Sequence, residues 1–196
     1  MKKKLVVLEG ISGVGKTTIA KALSDHFAWN YIPEIIDHNK SKKFTEEYFT
    51  IVEEIKIGMF TNSALINNVM DRSPISIMAH NYVRKMMDIK NLYDDLLGWF
   101  KREIDPIKKK HFVYLRTSDY DNCIKRKWGV NLENFPKEYE KIPGMKIWAQ
   151  KESLIAFQEY YDNFFSQNQF NVLTLSADEK IEKTINKIAT SYGQER

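Results

Sequence analysis

Cysteine is nearly absent from this 196-residue chain, with Cys123 the single example. One thiol cannot close an internal disulfide, which excludes a stapled secreted scaffold and suits a reducing compartment. Long apolar runs are missing too. The run Leu5-Val6-Val7-Leu8 stops at Glu9; it is too short for a signal-peptide core behind the basic start Met1-Lys2-Lys3-Lys4, and no segment approaches a membrane span. Histidine is scarce: His26, His38, His80 and His111 lack metal-ligand spacing and Cys123 has no cysteine partner, so a zinc centre is not expected. Neither sign of charge dominates, since 30 Lys+Arg against 26 Asp+Glu leave a formal +4. That excess does not announce a nucleic-acid binder, and Lys108-Lys109-Lys110 reads as a solvated turn before a strand. With 43% hydrophobic and 29% charged residues the chain is neither membrane-embedded nor low-complexity. The expectation is one cytoplasmic domain spanning residues 1–196, with no nucleic-acid or membrane partner.

What is present is an alternation of strands and helices. Leu5 to Leu8, with Gly10 following, has the pattern of a strand buried on both faces. Ile19, Leu23 and Phe27 recur at i, i+4 and i+8 and predict a helix over Lys16 to Phe27. Trp29 to Glu34, closed by Pro33, is a second strand. Phe44, Tyr48, Ile51/Val52, Ile55 and Met59 keep helical spacing, and Leu65 to Met70 reads as a third strand with Asp71 and Arg72 at its tip. Ser73 is a good N-cap and Pro74 fits the first position of a helix to about Met87. A polar helix near Asn91 to Ile104 stops before Pro106, His111 to Arg116 is a fourth strand, and Asp119 to Lys127 is helical. Gly129 to Gly144 has no period, carries Pro136 and Pro143, and reads as a mobile connection. Leu154, Phe157, Tyr161 and Phe164 restart a helix and Phe170 to Leu175 is a fifth strand. Ser176-x-x-Glu179 then reads as a capping box opening a last helix through Ile181, Ile185 and Ile188. Such alternation predicts an α/β domain with a mostly parallel sheet, whose ligands sit at the carboxyl ends of its strands.

One motif carries chemistry. Gly10-Ile11-Ser12-Gly13-Val14-Gly15-Lys16-Thr17 matches Gly-x4-Gly-Lys-[Ser/Thr] and lies between a buried strand and a helix, the context that match requires. Glycines let backbone N–H groups converge on phosphate oxygens, and the helix N-terminus adds its positive dipole end. Lys16 can reach β- and γ-phosphates, while the Thr17 hydroxyl can ligate Mg2+. Gly10, Ser12, Gly13, Val14, Gly15, Lys16, Thr17 and Thr18 are therefore the expected nucleotide contacts, with ATP and Mg2+ as the expected cofactors.

The surroundings of the loop narrow the class. Glu9-Gly10-x-x-Gly13-x-Gly15-Lys16-Thr17-Thr18 resembles the deoxynucleoside kinase and thymidylate kinase families. Ile32-Pro33-Glu34 looks like the Pro-Glu segment of deoxynucleoside kinases, and Asp71-Arg72-Ser73 looks like their Glu/Asp-Arg-Ser segment. Val113-Tyr114-Leu115-Arg116, with Cys123 and Arg126 on the helix after it, resembles the strand and helix that lead into the lid. The resemblance implies a three-layer α/β/α phosphate-loop NTPase fold around a five-stranded parallel sheet, a helical lid over about residues 126–147, and a homodimer. It implies Glu34 as base toward a 5′-hydroxyl, and Lys16, Arg72 and Arg126 as the remaining catalytic residues. Asp71, with Thr17, is expected to hold the metal. The lid departs from the family: Lys125-Arg126-Lys127 runs into Trp128-Gly129-Val130-Asn131-Leu132 with no further arginine, so Arg126 alone carries over. Between Phe44 and Met70 there is no family-like glutamine or arginine set for reading a base.

These residues point to an ATP- and Mg2+-dependent kinase that phosphorylates the 5′-hydroxyl of a (deoxy)nucleoside. A base such as Glu34 suits a neutral hydroxyl, whereas a nucleoside monophosphate arrives anionic and needs cations. The chain has six arginines, few of them near candidate acceptor walls. Three alternatives stay open: a thymidylate or other nucleoside monophosphate kinase, a kinase for another small hydroxylated acceptor, and a nucleotide-dependent switch. Trp148, Phe157, Tyr160, Tyr161, Phe164 and Phe165 can stack on a base, but their helical spacing favours core packing or a subunit interface.

Overall fold

The computed structural model describes residues 3–35, 46–86, 102–104, 106–129, 135, 137 and 145–192. Five strands, β1 (Lys4–Glu9), β2 (Asn30–Ile32), β3 (Asn67–Asp71), β4 (Lys110–Arg116) and β5 (Val172–Ser176), form one sheet in the order β2-β3-β1-β4-β5. Every pairing is parallel. β1 is central, and all six of its residues are buried, as its unbroken aliphatic run predicts for a strand covered on both faces. Its register sets Leu8 opposite Asp71 on one side and opposite Val113 on the other. The loop after β1 thus emerges between two strand tips, where a parallel sheet places its ligands.

Six α-helices among the described residues complete the fold: α1 (Lys16–Phe27), α2 (Glu46–Asn62), α3 (Pro74–Met86), α4 (Tyr120–Trp128), α5 (Lys151–Gln167) and α6 (Ile181–Tyr192). Alternation along β4 shows the layers, because successive side chains of a strand point to opposite faces. Phe112 and Tyr114 pack on Phe165 of α5, while His111, of the opposite parity along the strand, stacks on Tyr192 of α6. α5 and α6 therefore cover opposite faces, giving the expected three-layer α/β/α arrangement. Phe157 and Tyr161 are buried at 1% exposure and Trp148 stacks on Phe157 at 4.5 Å, so the aromatic series builds the core.

Local chemistry accounts for most boundaries. Asp119 caps α4 by accepting the Asn122 N–H at 3.0 Å, and Ser73 accepts the Ile75 N–H at 3.3 Å beside Pro74. Two expectations need correction. The capping box does not form: Ser176 closes β5 and its Oγ accepts the Asp178 N–H, while Glu179 turns to Lys183 and Lys187. Carboxylate–ammonium pairing wins over backbone capping there. β2 is also shorter than predicted, with Trp29 and Pro33 flanking three paired residues.

α2 keeps the predicted helical period but buries another face. Ile51, Ile55 and Met59 are exposed at 49%, 49% and 36%, while Val52, Glu53, Lys56 and Phe60 point inward. Phe44, most of the polar segment Asn91 to Ile104, and most of Gly129 to Gly144 lie outside the described residues. No helix among the described residues is long and apolar enough to cross a membrane.

Candidate nucleotide-binding site

Gly10, Gly13 and Gly15 all carry positive φ, at 137°, 84° and 90°. For two of them the need for glycine is also steric. A β-carbon on Gly10 would sit 2.5 Å from the Leu115 carbonyl oxygen, and one on Gly13 would run into the Cys123 carbonyl of α4. The loop is thus seated directly on β4 and α4. Lys16 opens α1 and folds back, its Nζ donating to the carbonyls of Gly10 at 2.8 Å and Ile11 at 2.6 Å. Burial, reinforced by the Arg72 charge, pushes the Lys16 ammonium down to about 7. Its proton is therefore held loosely until an anion arrives.

Asp71, fully buried at the tip of β3, accepts a 2.5 Å hydrogen bond from Thr17 Oγ1 through Oδ2. Its Oδ1 is buried with no hydrogen-bond partner among the described residues. An orphaned carboxylate oxygen is costly unless something fills the position. Beside a threonine hydroxyl at the end of a phosphate loop, this donor set fits Mg2+, which takes oxygen ligands.

Arg72 follows with φ 65°, one of two positive-φ residues other than glycine among the described residues. Its Nε lies 2.9 Å from Glu34 Oε1. The contact is ionic rather than a directed hydrogen bond, because Nε has no hydrogen-bond partner among the described residues. Its Nη1 donates to Ser76 Oγ at 3.3 Å, and its guanidinium lies over the Trp148 ring at 5.8 Å. Burial opposes ionisation of Glu34, but the charges of Arg72, Lys16, Lys127 and Lys56 outweigh it and hold the carboxyl below its usual range.

These groups meet in a cleft of about 300 Å3. Gly13 to Thr18 form its floor, Glu34 and Arg72 one wall, Arg126 and Lys127 another, with Ala177, Glu179, Ile181 and Thr184 completing it. Gly10 and Ser12 are buried, and Asp71 stands behind Thr17. A wider groove of about 890 Å3 runs between β5 and α6 but contains none of these residues. Arg126 Nη2 rests 3.4 Å from Cys123 Sγ at the end of α4. Of the lid expected over 126–147, residues 130–134, 136 and 138–144 lie outside the described residues. Residues 145–149 form a 3-10 turn leading into α5.

Sequence reasoning missed three members of the site. Lys127 lines the cleft beside Arg126, its ammonium lowered by burial and by Arg72. Glu9, wholly buried, accepts from the Ser73 N–H at 2.7 Å, Ser73 Oγ at 2.6 Å and Ser76 Oγ at 2.7 Å. Burial raises its carboxyl despite those bonds. Lys56 donates to Glu53 at 3.0 Å and to the Arg72 carbonyl at 2.7 Å. The available signal was the i, i+3 spacing of Glu53 and Lys56 on a helix, which more often marks a solvated pair.

A parallel sheet of order 2-3-1-4-5, with a glycine loop joining its central strand to a helix, defines the phosphate-loop α/β class. No family model and no curated protein sequence matches the chain. Solved structures do match it. The deoxyadenosine kinase from M. mycoides with bound dATP superposes with a TM-score of 0.65 at 18% identity, covering 97% of this chain and 100% of that one. The same enzyme with products dCMP and a flexible dCDP gives 0.65 at 15% identity, over 96% and 98% of the two chains. YorR from Bacillus subtilis, in complex with phosphorylated GDP, gives 0.54 at 19% identity over 98% and 100%. The fold of this chain is the one these proteins share.

Proposed function

We propose that the protein is a nucleoside or nucleotide kinase, and within that class an ATP- and Mg2+-dependent enzyme phosphorylating the 5′-hydroxyl of a (deoxy)nucleoside. The observation that carries the reading is Glu34, a carboxylate held ionised by Arg72 on the wall of the phosphate-loop cleft. A neutral hydroxyl becomes a better nucleophile when a carboxylate takes its proton. In-line phosphoryl transfer places that hydroxyl opposite the donor phosphates, across the cleft from the loop. A monophosphate acceptor needs uncommitted cations instead. Arg72 is already set against Glu34, and Lys56 against Glu53 and a carbonyl. Sharing a fold with an enzyme whose structure carries dCMP as a product supports the same acceptor class.

The chain's own residues divide the work as follows. Loop backbone and Lys16 hold the donor phosphates, Lys16 exchanging the Gly10 and Ile11 carbonyls for phosphate oxygens. Glu34 takes the acceptor proton. Arg72 orients Glu34, and Arg126 with Lys127 faces charge developing on the transferred group. Thr17 and Asp71 are the residues that would hold Mg2+, which when bound draws charge from the phosphate oxygens. The test is ADP release with Mg-ATP across thymidine, deoxycytidine, deoxyadenosine, deoxyguanosine and their monophosphates, beside Lys16→Ala. Stimulation by a nucleoside supports the reading. Stimulation by monophosphates alone moves the protein to the monophosphate kinases and removes the base role of Glu34.

A further inference from the structure

We infer that Lys56 of α2 is a positioning residue for Arg72: its ammonium group fixes the backbone turn that carries the Arg72 guanidinium to Glu34. The consequence for turnover rests on the kinase reading; the placement of Arg72 does not.

Three polar atoms of the two peptide units flanking the Arg72 α-carbon are each held from a different direction. The Arg72 N–H donates to the Leu8 carbonyl at 3.1 Å, extending the β1–β3 ladder. The Ser73 N–H donates to Glu9 Oε1 at 2.7 Å. The Arg72 carbonyl accepts from Lys56 Nζ at 2.7 Å. Orienting both peptide planes sets φ and ψ between them, and here it imposes a left-handed conformation that an arginine rarely adopts unaided. Such strain persists where the surroundings over-determine it. Two of the grips come from the strand that leads into the phosphate loop. The third comes from a helix on the stretch between β2 and β3, the same stretch that contains Glu34.

The price of burying Lys56 argues the same way. The residue is 1% exposed in the middle of α2, with Glu53 one turn back at 4%. Glu53 Oε2 has no hydrogen-bond partner among the described residues, so the pair is not saturated as an ion pair. A buried pair of this kind is often replaced by packed apolar side chains without loss of stability. What apolar side chains cannot do is donate to the Arg72 carbonyl. Val52 and Phe60 show that the same face of α2 accepts apolar residues on either side.

The test compares the parent with Lys56→Met/Glu53→Leu, which removes both charges together, and with Lys56→Gln, too short to reach the carbonyl. Lys56→Arg serves as the rescue. The first readout is the Nε–H resonance of Arg72 in 15N-arginine-labelled protein, assigned among six arginines by its loss in Arg72→Lys. The resonance should move to the position of exposed arginines in the double variant and in Lys56→Gln, and return in Lys56→Arg. The second readout is kinetic: kcat should fall about 10- to 100-fold with the KM for ATP within about twofold, as expected when a reacting group is misplaced. An unmoved Arg72 resonance in a natively folded variant overturns the inference, whatever happens to turnover. A moved resonance in a protein that phosphorylates no nucleoside or nucleotide leaves the inference standing and overturns the kinase reading.

Discussion

Glu34 and Arg72 set each other's chemistry: the guanidinium keeps the carboxyl ionised, and the carboxylate holds the guanidinium over the cleft. On the proposed reading Glu34→Gln removes the proton acceptor but little volume, so turnover should fall about 10²- to 10⁴-fold while ATP still binds, measured by steady-state rates and by calorimetry. The pH profile follows from the direction of the shift. A carboxyl held below its ordinary 4.5 stays ionised as pH falls from 7, so Glu34 should add no acid limb to kcat/KM above that value. Arg72→Met should carry the acid limb upward. His80 makes a second titration prediction. It stacks on Trp148 at 4.7 Å, its Nε2 lacks a hydrogen-bond partner among the described residues, and burial pushes it down to about 3 from 6.5. Below pH 6.5 the unfolded chain takes up a proton that the native imidazole refuses. Stability should therefore decline on acidification at up to about 1.4 kcal/mol per pH unit, and be indifferent to this group above 6.5. His80→Phe keeps the stack and should cancel that slope, read from denaturant midpoints between pH 7 and 5.

At the scale of elements, the phosphate loop and α4 share one seat. Gly13→Ala adds a β-carbon against the Cys123 carbonyl at a φ of 84°. It should cost on the order of 1–3 kcal/mol and abolish nucleotide binding, checked by denaturant unfolding and by titration with ATP. The loop and Thr17 were legible in the sequence because strand-tip chemistry is local: a buried run, then glycines, then a helix; Asp71 and Glu34 were singled out through the family resemblance, and the structure sets both near the loop. α2 was legible as a helix but not in its phase. Ile51, Ile55 and Met59 mark the period, yet the inward face contains Glu53 and Lys56, because Arg72 presents a carbonyl that needs a donor. No periodicity reports a partner 16 residues further along the chain. Glu9 was hidden in the same way, as a strand-end carboxylate whose serine partners are Ser73, just ahead of α3, and Ser76 within it. The capping box at Ser176 failed because Lys183 and Lys187 compete for Glu179.

For the whole molecule, the outward stripe of Ile51, Ile55 and Met59 is an apolar surface on a helix that already has its core. The expected homodimer would be tested at that stripe, which a second copy of the chain could cover. Light scattering should then give twice the 23.1 kDa of one chain, and Ile51→Glu/Ile55→Glu should give the monomer with its secondary structure intact. The strand order has a temporal consequence. β1 is the first strand along the chain, yet its neighbours are residues 67–71 and 110–114, with no hairpin to hold it meanwhile. Pairing of this kind must close long loops before it is rewarded, which slows folding. Until β4 arrives, Gly10 has no Leu115 carbonyl and Gly13 no α4 to rest on. If the loop holds a triphosphate as proposed, that grip should be among the last properties the chain acquires as it matures, and nucleotide capture would then serve as a clock for the completion of folding.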